Sequence, residues 1–429
     1  MNKNLLFILF FSIVYTQASG FAAFGLGAQV RNTNPASIGL GGGTFFSGNS
    51  KNISSSSISS LWRSSFTRFT VHSGLNSLTI NSLPDQFQHS LTYFSFLFPI
   101  GNKRVVGFGF QPVYRTNKID IEESLQFIGA DQSITGNPLI YYNKYSIDGG
   151  MSELFIQYSQ MLNSKISLGM QYSLLFGTQS FDDQLYTYDV AFDTLITSEL
   201  LVEEILIAED IYYIYGENSA KTFIEKLHQF SGSAFTFEGR YVLPKHEWAF
   251  RTTVNGGIYI DKQLSRVVQD SIFIDKSKYI VSSSISEISI GYQYLVLSNL
   301  GLTLEWQNKF AFRIPQEIAI FNIMPPEEKS INFGSYLRLN NPKIGYWNNI
   351  NLRGGIYLKE LNFSNNKLID YGFTLGVGIE YLNQTKAFDV SICFGNKDSQ
   401  IFKGESENYI SLQIGITTGE KWFMKRRRK

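Results

Sequence analysis

Apolar and polar residues alternate strictly near the C-terminal end of the chain, in residues 371–381. This segment reads YGFTLGVGIEY, with aromatic and aliphatic residues at the odd-numbered positions and Gly, Thr or Glu at the even-numbered ones. Successive side chains of a β-strand point to opposite faces of the sheet. The segment therefore predicts a strand with one continuous apolar face and one small, polar face.

The same pattern returns about fourteen times, with turn residues between the copies, as is typical of a transmembrane β-barrel. Several copies hold the alternation for ten or more residues, whereas strands of water-soluble proteins usually have about five or six. A tilted strand needs about nine to eleven residues to cross a bilayer. The pattern therefore predicts an all-β fold, a transmembrane antiparallel barrel of about fourteen strands, rather than a water-soluble sandwich or propeller. The predicted strands are approximately 65–73, 89–98, 104–116, 150–161, 164–178, 230–242, 247–260, 284–296, 299–313, 330–340, 348–359, 369–382, 386–395 and 407–418.

The connections between the predicted strands alternate in length. Short turns rich in Gly, Asn, Pro and Ser follow every second strand, for example at 100–103, 244–245 and 340–342. Short periplasmic turns and long outer loops are how bacterial barrels are built. Because the strand number is even, both chain ends are expected on the periplasmic side. The longer predicted connections are 117–149, 179–229, 261–283 and 314–329.

The longest connection contains a segment, 198–210, in which apolar residues recur at helical spacing. Leu201, Ile205 and Ala208 are among them, and this spacing predicts a short amphipathic helix. One interpretation is a lid that covers the rim of the barrel. The other is a surface that captures an apolar ligand.

Composition agrees with a membrane barrel and excludes several kinds of site. Aromatic residues reach 15% and charged residues only 17%, against a usual charged fraction of about 25%. The net charge of +1 indicates no particular class of binding partner, and nucleic acid is not expected without a basic patch. Cys393 is the single cysteine, so an intrachain disulfide and a cysteine zinc cluster are excluded. The four histidines lack metal-ligand spacing, and no cofactor or metal is predicted.

The N-terminus has the pattern of a secretory signal peptide. Lys3 precedes an apolar run over residues 5–15, which is followed by the small residues Ala18, Ser19 and Gly20. This order of a basic segment, an apolar core and a cleavage site is typical of exported proteins. We therefore expect residues 1–20 to be a signal peptide and membrane residence to come from the strands.

Residues 21–64 differ from the rest of the chain because they are rich in Gly, Ser and Asn without a sustained period. The glycine cluster at 39–43 lacks the Gly-Lys-Ser/Thr ending of a phosphate loop. A flexible linker is one interpretation of this segment. The functional interpretation is a plug, folded back into the lumen of a barrel that spans 65–418.

Charged residues at the polar positions of alternating segments are expected to face the lumen. Both signs are present, and buried charges normally need partners, so mutual pairing that stiffens the barrel is one interpretation. Contact with a ligand is the other. Charges in the lumen would also suit an open porin for polar solutes. The candidate residues are Arg251, Glu305, Lys309, Arg313, Arg353 and Glu380.

The chain ends in an aromatic and basic tail at 419–429. Trp422 and Phe423 suit a membrane–water interface, and the basic residues after them are expected to rest on lipid headgroups on the periplasmic side. An enzyme is not predicted. A catalytic barrel needs a nucleophile, a base and an orienting group at its rim. His72 could face the lumen as a base, but the chain has no Gly-x-Ser-x-Gly motif to supply the nucleophile.

The chain resembles the FadL-like family of outer-membrane transport proteins, which carry long-chain fatty acids and hydrocarbons. The resemblance rests on the glycine-rich start, which includes the segments 25–27 and 38–43, and on about fourteen strands with the longest loop after the fifth. The aromatic-then-basic end at 420–428 is similar to the ends of FadL-like and related PorV-like barrels. The motifs are short, so the resemblance lies mainly in the architecture.

The resemblance implies a plugged barrel that takes up hydrophobic compounds, such as long-chain fatty acids, through a lateral opening in its wall. Its expected partners are outer-membrane lipid and a hydrophobic small molecule. PorV-like barrels imply an alternative, in which the chain is a secretion-accessory or surface-attachment protein and its long loops dock a periplasmic or secretion-system protein.

Overall fold

The computed structural model describes residues 28–30, 34–80, 83–101, 103–128, 139–189, 220–268, 271–281, 284–310, 327–340, 349–363, 366–381, 385–399 and 406–420. The predicted signal peptide, the predicted helix at 198–210 and Arg313 lie outside these residues, as does the tail beyond Glu420. No helix within the described ranges is long and apolar enough to cross a membrane.

The described residues form sixteen strands, one short α-helix, α1 (Pro35–Ile38), and one 3₁₀ helix (Ile58–Arg63). The strands are β1 (Ala28–Gln29), β2 (Thr67–Ile80), β3 (Leu83–Gly101), β4 (Arg104–Ile128), β5 (Leu139–Met161), β6 (Ile166–Asp189), β7 (Ala220–Val242), β8 (His246–Val268), β9 (Ser271–Val281), β10 (Ser284–Leu295), β11 (Leu300–Lys309), β12 (Glu327–Asn340), β13 (Asn349–Phe363), β14 (Asn366–Tyr381), β15 (Lys386–Ser399) and β16 (Ser406–Glu420).

Fourteen of these strands form a closed antiparallel barrel. Neighbours along the chain pair from β2 to β8 and from β10 to β16, while β8 also pairs with β10 and β16 with β2. β9 pairs with the part of β8 at 258–268, beyond the part that pairs with β10. β10 therefore pairs with β8 at 246–255 and β9 pairs with it at 258–268. The predicted fold class, an all-β transmembrane barrel with an N-terminal plug, is confirmed.

The distribution of side chains in the barrel wall is the reverse of that in a water-soluble protein. On β11, the interior positions carry Thr303, Glu305 and Gln307, which are all buried. Leu304 and Trp306 point outward and are 48% and 39% exposed. An outward apolar face and a polar interior are typical of a barrel that contacts lipid.

Strands β4 to β8 are 23 to 25 residues long, much longer than a bilayer crossing requires. The prediction that all of 117–149, 179–229 and 261–283 are loops was therefore wrong, because β6 runs to Asp189 and β7 begins at Ala220. β4 and β5 pair from Arg104 and Gln160 as far as Ile128 and Leu139. Beyond the apolar band a strand needs no strict alternation, so its backbone ladder continues where the sequence pattern fades.

A buried apolar cluster lies on β4 to β8, next to the plug and at the start of the long strand extensions. Its centre follows one cross-strand row, in which Tyr114 pairs with Met151 and Phe230 pairs with Ile260. The register shifts nearby on β4 and β7, and Gly149 has a φ of 112°, so the strands bend at this level. The cluster consists of Val113, Tyr114, Met151, Leu175, Phe230, Ala234, Ile258 and Ile260.

Candidate functional site: the plugged lumen and the gap in its wall

Residues 34–64 fold inside the barrel and form what we call the plug. Asn34 caps α1 by accepting the Ala36 N–H through its side-chain oxygen at 3.1 Å, and Pro35 occupies the first turn, where proline is favoured. The 3₁₀ helix packs against β5 and β6. The largest fully buried plug side chains are Phe45, Phe46 and Leu61.

Serine hydroxyls hold the plug in shape. Ser37 Oγ donates to the Phe46 carbonyl at 2.8 Å, and Ser60 Oγ donates to the Ser57 carbonyl at 2.8 Å. Such local side-chain bonds satisfy backbone groups that no helix or sheet ladder would satisfy. The serine-rich composition therefore gives a defined fold to a segment that has only a small apolar core.

The plug backbone contacts the wall directly where glycines face each other. A Cβ on Gly355 of β13 would lie 2.3 Å from the Gly41 nitrogen, and Gly41 itself has a φ of 90°. A Cβ on Gly43 would lie 2.4 Å from the Glu305 Cδ. The glycine cluster at 39–43 therefore allows the plug backbone to lie close against the barrel wall, which a larger residue would prevent.

Glu305 of β11 anchors this glycine-rich loop. Its carboxylate accepts the N–H groups of Thr44 and Phe45, the latter at 3.1 Å. On the same strand, Gln307 Nε2 donates to Thr44 Oγ1 at 2.7 Å. The loop thus binds a carboxylate with successive backbone N–H groups, and that carboxylate belongs to the barrel itself.

A buried network of six charges joins the plug to β7, β8 and β10. Arg251 Nη2 donates to Glu238 Oε2 at 2.7 Å, and Arg63 Nη2 lies 2.9 Å from Glu247 Oε1. Arg240 donates to Glu247 as well. Burial of charges is costly unless they are paired and hydrogen-bonded. Glu238 and Glu247 each have two arginine partners within 4 Å, because Arg240 also lies 3.9 Å from Glu238. Glu287 of β10 lies 3.9 Å from Arg251.

The same network binds the plug backbone. Glu238 accepts the Ile58 N–H at 3.0 Å and the hydroxyls of Ser57 and Ser59. Arg240 Nη2 donates to the Phe45 carbonyl at 2.9 Å, and Arg251 donates to a plug carbonyl as well. The plug therefore supplies part of the hydrogen bonding of the wall charges, and their ion pairs within the wall supply the rest.

Two further wall charges hold the plug on the opposite side of the lumen. Arg353 of β13 donates to the Ser47 carbonyl at 2.6 Å and to Asp389 of β15 at 2.8 Å. Glu380 of β14 accepts the Ser50 N–H at 2.9 Å and the Ser50 hydroxyl. The plug is thus tethered to β7, β8, β11, β13 and β14.

The structure gives different partners to the predicted lumen residues. Arg251, Glu305, Arg353 and Glu380 are buried and bond the plug. Lys309 is also buried, but it pairs with Glu328 of the neighbouring strand at 3.0 Å. Arg313 lies outside the described residues. Where these side chains can be seen, their hydrogen bonds go to the plug and the wall.

Sequence reasoning missed Glu238, Arg240, Glu247 and Asp389. The signal was present on the predicted strand 230–242, where Glu238 and Arg240 alternate with Phe237 and Tyr241. Its polar face places two opposite charges on the lumen side of one strand. His72 is buried at the edge of the plug, where its Nε2 lies 3.4 Å from Ser55 Oγ.

Two small cavities lie beside the plug among the described residues. A cavity of about 30 Å³ lies between Asn34, His72 and Asp389, and a second of about 20 Å³ lies next to Tyr93 and Arg251. A cavity needs about 10–15 Å³ of such space to hold one water molecule. These two cavities are therefore too small for a solute path past the plug.

The barrel wall has a gap between β3 and β4. These strands pair from Gly101 and Arg104 as far as Phe94 and Phe110. In the described remainder of both strands, β3 pairs only with β2 and β4 pairs with β5 and β1. Pro112, just above the last pair, has no N–H to donate, and proline is typical of a strand edge.

The short strand β1 lies on the free edge of β4 in this gap. Ala28 pairs with Arg115, Gln29 pairs with Tyr114, and the Val30 N–H donates to the Val113 carbonyl at 3.0 Å. β1 thus reaches the wall far from the barrel end at which β2 begins and β16 finishes. A periplasmic N-terminus stays a prediction, because the residues before Ala28 lie outside the described ones.

Comparison with known proteins identifies the sequence family and the fold. The sequence model described as BamG matches residues 1–429, the whole chain. Comparison with curated protein sequences gives no match.

Several solved outer-membrane channels have a similar structure. The CymD monoaromatic hydrocarbon channel is 12% identical, with a TM-score of 0.58 over 92% of this chain and 99% of that one. The Ralstonia pickettii toluene transporter TbuX is 12% identical, with a TM-score of 0.52 over 91% and 99% of the two chains. The P. putida toluene transporter TodX is 11% identical, with a TM-score of 0.51 over 92% and 100%.

At these identities the likeness concerns the fold, and the fold is that of FadL-like barrels, as the sequence resemblance predicts. The family match covers every residue of the chain. The chain therefore belongs to the BamG family and has the fold of the FadL-like hydrocarbon channels.

Proposed function

We propose that this protein is an outer-membrane channel that admits small hydrophobic molecules and releases them sideways through the gap between β3 and β4. The observation that supports this most directly is the end of β3–β4 pairing at Phe94 and Phe110, beyond which only the two-residue strand β1 lies along this edge of β4. A break in the wall gives a molecule in the lumen a route into the surrounding apolar phase without crossing water. An apolar molecule gains free energy by taking that route.

The apolar cluster supports the same proposal because it reaches the gap. Val113 and Tyr114 lie on the edge of β4 that pairs with β1 rather than with β3, and they pack in one cluster with Met151, Leu175 and Phe230. A hydrophobic molecule beyond the plug would therefore meet continuous apolar side chains as far as the opening. Ligand sites are usually lined in this way, with few polar groups.

The plug argues against an open porin for polar solutes. The plug bonds to Glu238, Glu305 and Glu380, and it therefore occupies the lumen at the level of the interior charges. The CymD, TbuX and TodX channels are named for monoaromatic hydrocarbons and toluene. We extend the proposed ligand class to long-chain fatty acids, whose chains have the same apolar chemistry.

Uptake measurements test the proposed function. Cells that make the protein should accumulate radiolabelled toluene or oleate faster than matched cells that lack it. A protein without the plug residues 34–64 should no longer select for apolar molecules and should also pass polar sugars. Equal accumulation of both apolar probes with and without the protein would contradict the channel proposal.

A reversible disulfide tests the lateral route. Gln29→Cys and Tyr114→Cys place cysteines at register partners, whose Cα atoms lie about 4.5–5.5 Å apart in an antiparallel pair, within reach of a disulfide. Both substitutions are made in a protein that also carries Cys393→Ser, which removes the native cysteine. We expect oxidation to fix β1 in the gap and stop uptake, and reduction to restore it. A disulfide between Val377→Cys and Val390→Cys, register partners elsewhere in the wall on its outer face, is the matched control.

A second candidate function is a docking platform for a secretion-system or surface-attached protein. The extension of β4 to β8 beyond the length of a bilayer crossing favours it. Deletion of residues 117–148 should then remove a partner that cross-links to the intact protein. Shortening the β13–β14 hairpin should leave that partner bound, and unchanged apolar uptake in the first deletion would separate this function from the channel.

A further inference from the structure

The outer face of the barrel carries a groove of about 630 Å³ across β13 to β16 and β2. Its lower edge is one cross-strand row, in which Ile356, Phe373, Phe394 and Ile410 are register partners in turn. Ile356, Phe373 and Ile410 are exposed outward. The lower edge is therefore a continuous strip of apolar side chains on the face that lipid contacts.

The floor of the groove is made by glycine backbone. Gly372 and Gly395 are register partners in the row above the apolar strip. A Cβ on Gly395 would lie 2.3 Å from the Tyr357 hydroxyl oxygen and 2.3 Å from the Tyr409 ring. These two tyrosines close the interior side, where their hydroxyls lie 2.6 Å apart. The groove is thus separate from the lumen and from the proposed channel.

The upper edge of the groove changes from apolar to polar along its length. It begins at Tyr371 and continues through Asn396 and Asn408 to Thr79, again as successive register partners. Asn396 Nδ2 donates to Asn408 Oδ1 at 2.7 Å. An amide group carries two N–H donors as well as its acceptor oxygen, so this edge offers hydrogen bonds to ester or headgroup oxygens.

The boundary of the membrane lies just beyond this polar edge. On the next outward-facing row, Glu360 pairs with Ile369, and Ile369 pairs with Asp398. Glu360 also forms an ion pair with Lys367 at 2.6 Å, and both side chains are partly exposed. Charged side chains are costly on a lipid-facing surface and become tolerable near the interface. The groove therefore lies where acyl chains meet headgroups.

We propose that this groove binds one acyl chain of a membrane phospholipid, with the lipid headgroup at Asn396 and Asn408. The groove is continuous with the lipid-contacting face, and none of the described residues that line it is charged. Its volume is in the range of ligand sites, about 300–1,000 Å³. The polar edge is on the side that faces the headgroups, so one molecule with an apolar chain and a polar end satisfies both edges.

Native mass spectrometry of the delipidated protein, titrated with dipalmitoylphosphatidylethanolamine, tests this proposal. Ile410→Trp fills the apolar strip from the outside. Leu304→Trp is the matched control, because Leu304 is 48% exposed against 49% for Ile410 and lies on the same cross-strand row, two strands beyond the groove. We expect the first bound lipid to be held about tenfold more weakly by Ile410→Trp, which is a loss of about 1.4 kcal/mol, and unchanged by Leu304→Trp.

Three results would overturn the proposal. The first is equal lipid binding by Ile410→Trp and the native protein. The second is an equal loss of binding in both tryptophan variants, which would mean general contact with lipid rather than a site. The third is a protein that occupies this face and is displaced by Ile410→Trp. Circular dichroism of both variants establishes that the barrel is folded.

Discussion

Arg251 and Glu238 are register partners on β8 and β7, and their side chains pair at 2.7 Å inside the barrel. The same Glu238 carboxylate accepts the Ile58 N–H of the plug at 3.0 Å. An ion pair within the wall is therefore also an anchor for the segment that closes the lumen. Closure and wall stability depend on the same buried carboxylate.

Replacement of Glu238 by alanine should destabilise the protein and loosen the plug together. It leaves Arg251 and Arg240 without their shared carboxylate, and loss of one partner of a buried ion pair costs about 3–5 kcal/mol. Guanidinium unfolding followed by circular dichroism measures the stability. Single-channel recording in a planar bilayer measures ion leakage, which should rise.

The control for this change is Glu360→Ala, which removes an ion pair with Lys367 outside the lumen. Exposed pairs contribute little, so both stability and leakage should stay at the native values. Native leakage in Glu238→Ala would show that the plug does not depend on this carboxylate.

The alternation of apolar and polar residues predicted the barrel strands, because each wall strand must separate lipid from a polar interior. Each of the fourteen predicted strands overlaps one strand of the barrel wall. The extensions of β4 to β8 could not be predicted in the same way, because no lipid constrains their outer faces. β1 is only two residues long, too short for a pattern to reveal.

The lumen residues were predictable, but their partners were not. Position parity places Arg251, Glu305, Arg353 and Glu380 on the interior face. Their partners lie far away in sequence: Glu305 bonds the Phe45 N–H, 260 residues distant. Such pairing depends on how the plug lies in the lumen, and the plug has no periodic pattern that would fix its orientation.

Gly355→Ala should displace the glycine-rich loop of the plug. The added Cβ would lie 2.3 Å from the Gly41 nitrogen, and such overpacking typically costs about 1–3 kcal/mol. Gly354→Ala is the matched control, because a Cβ there has no neighbour closer than 3.9 Å. Hydrogen exchange of residues 39–45 should increase in Gly355→Ala and remain native in Gly354→Ala. Equal exchange in the two variants would contradict the close contact between plug and wall.

Deletion of residues 34–64 should convert the closed barrel into an ion-conducting pore. The interior positions that face the plug are polar or charged, so water would fill the space that the plug leaves. Planar-bilayer recording should show stable open conductance, in contrast to a closed native protein. A folded deletion variant, established by its β-sheet circular dichroism, that does not conduct would mean that other residues also close the lumen.

Lys309→Met should separate wall stability from closure. Lys309 pairs with Glu328 on the neighbouring strand at 3.0 Å, and both side chains are largely buried. Methionine fills much of the same volume but leaves the Glu328 carboxylate without this partner, which should lower the free energy of unfolding by about 3–5 kcal/mol. Because the hydrogen bond of Lys309 goes to the wall, conductance should stay at the native level. Restoration of stability by Glu328→Gln in the same protein would attribute the loss to the unpaired carboxylate, while leakage in Lys309→Met alone would show that this pair also holds the plug.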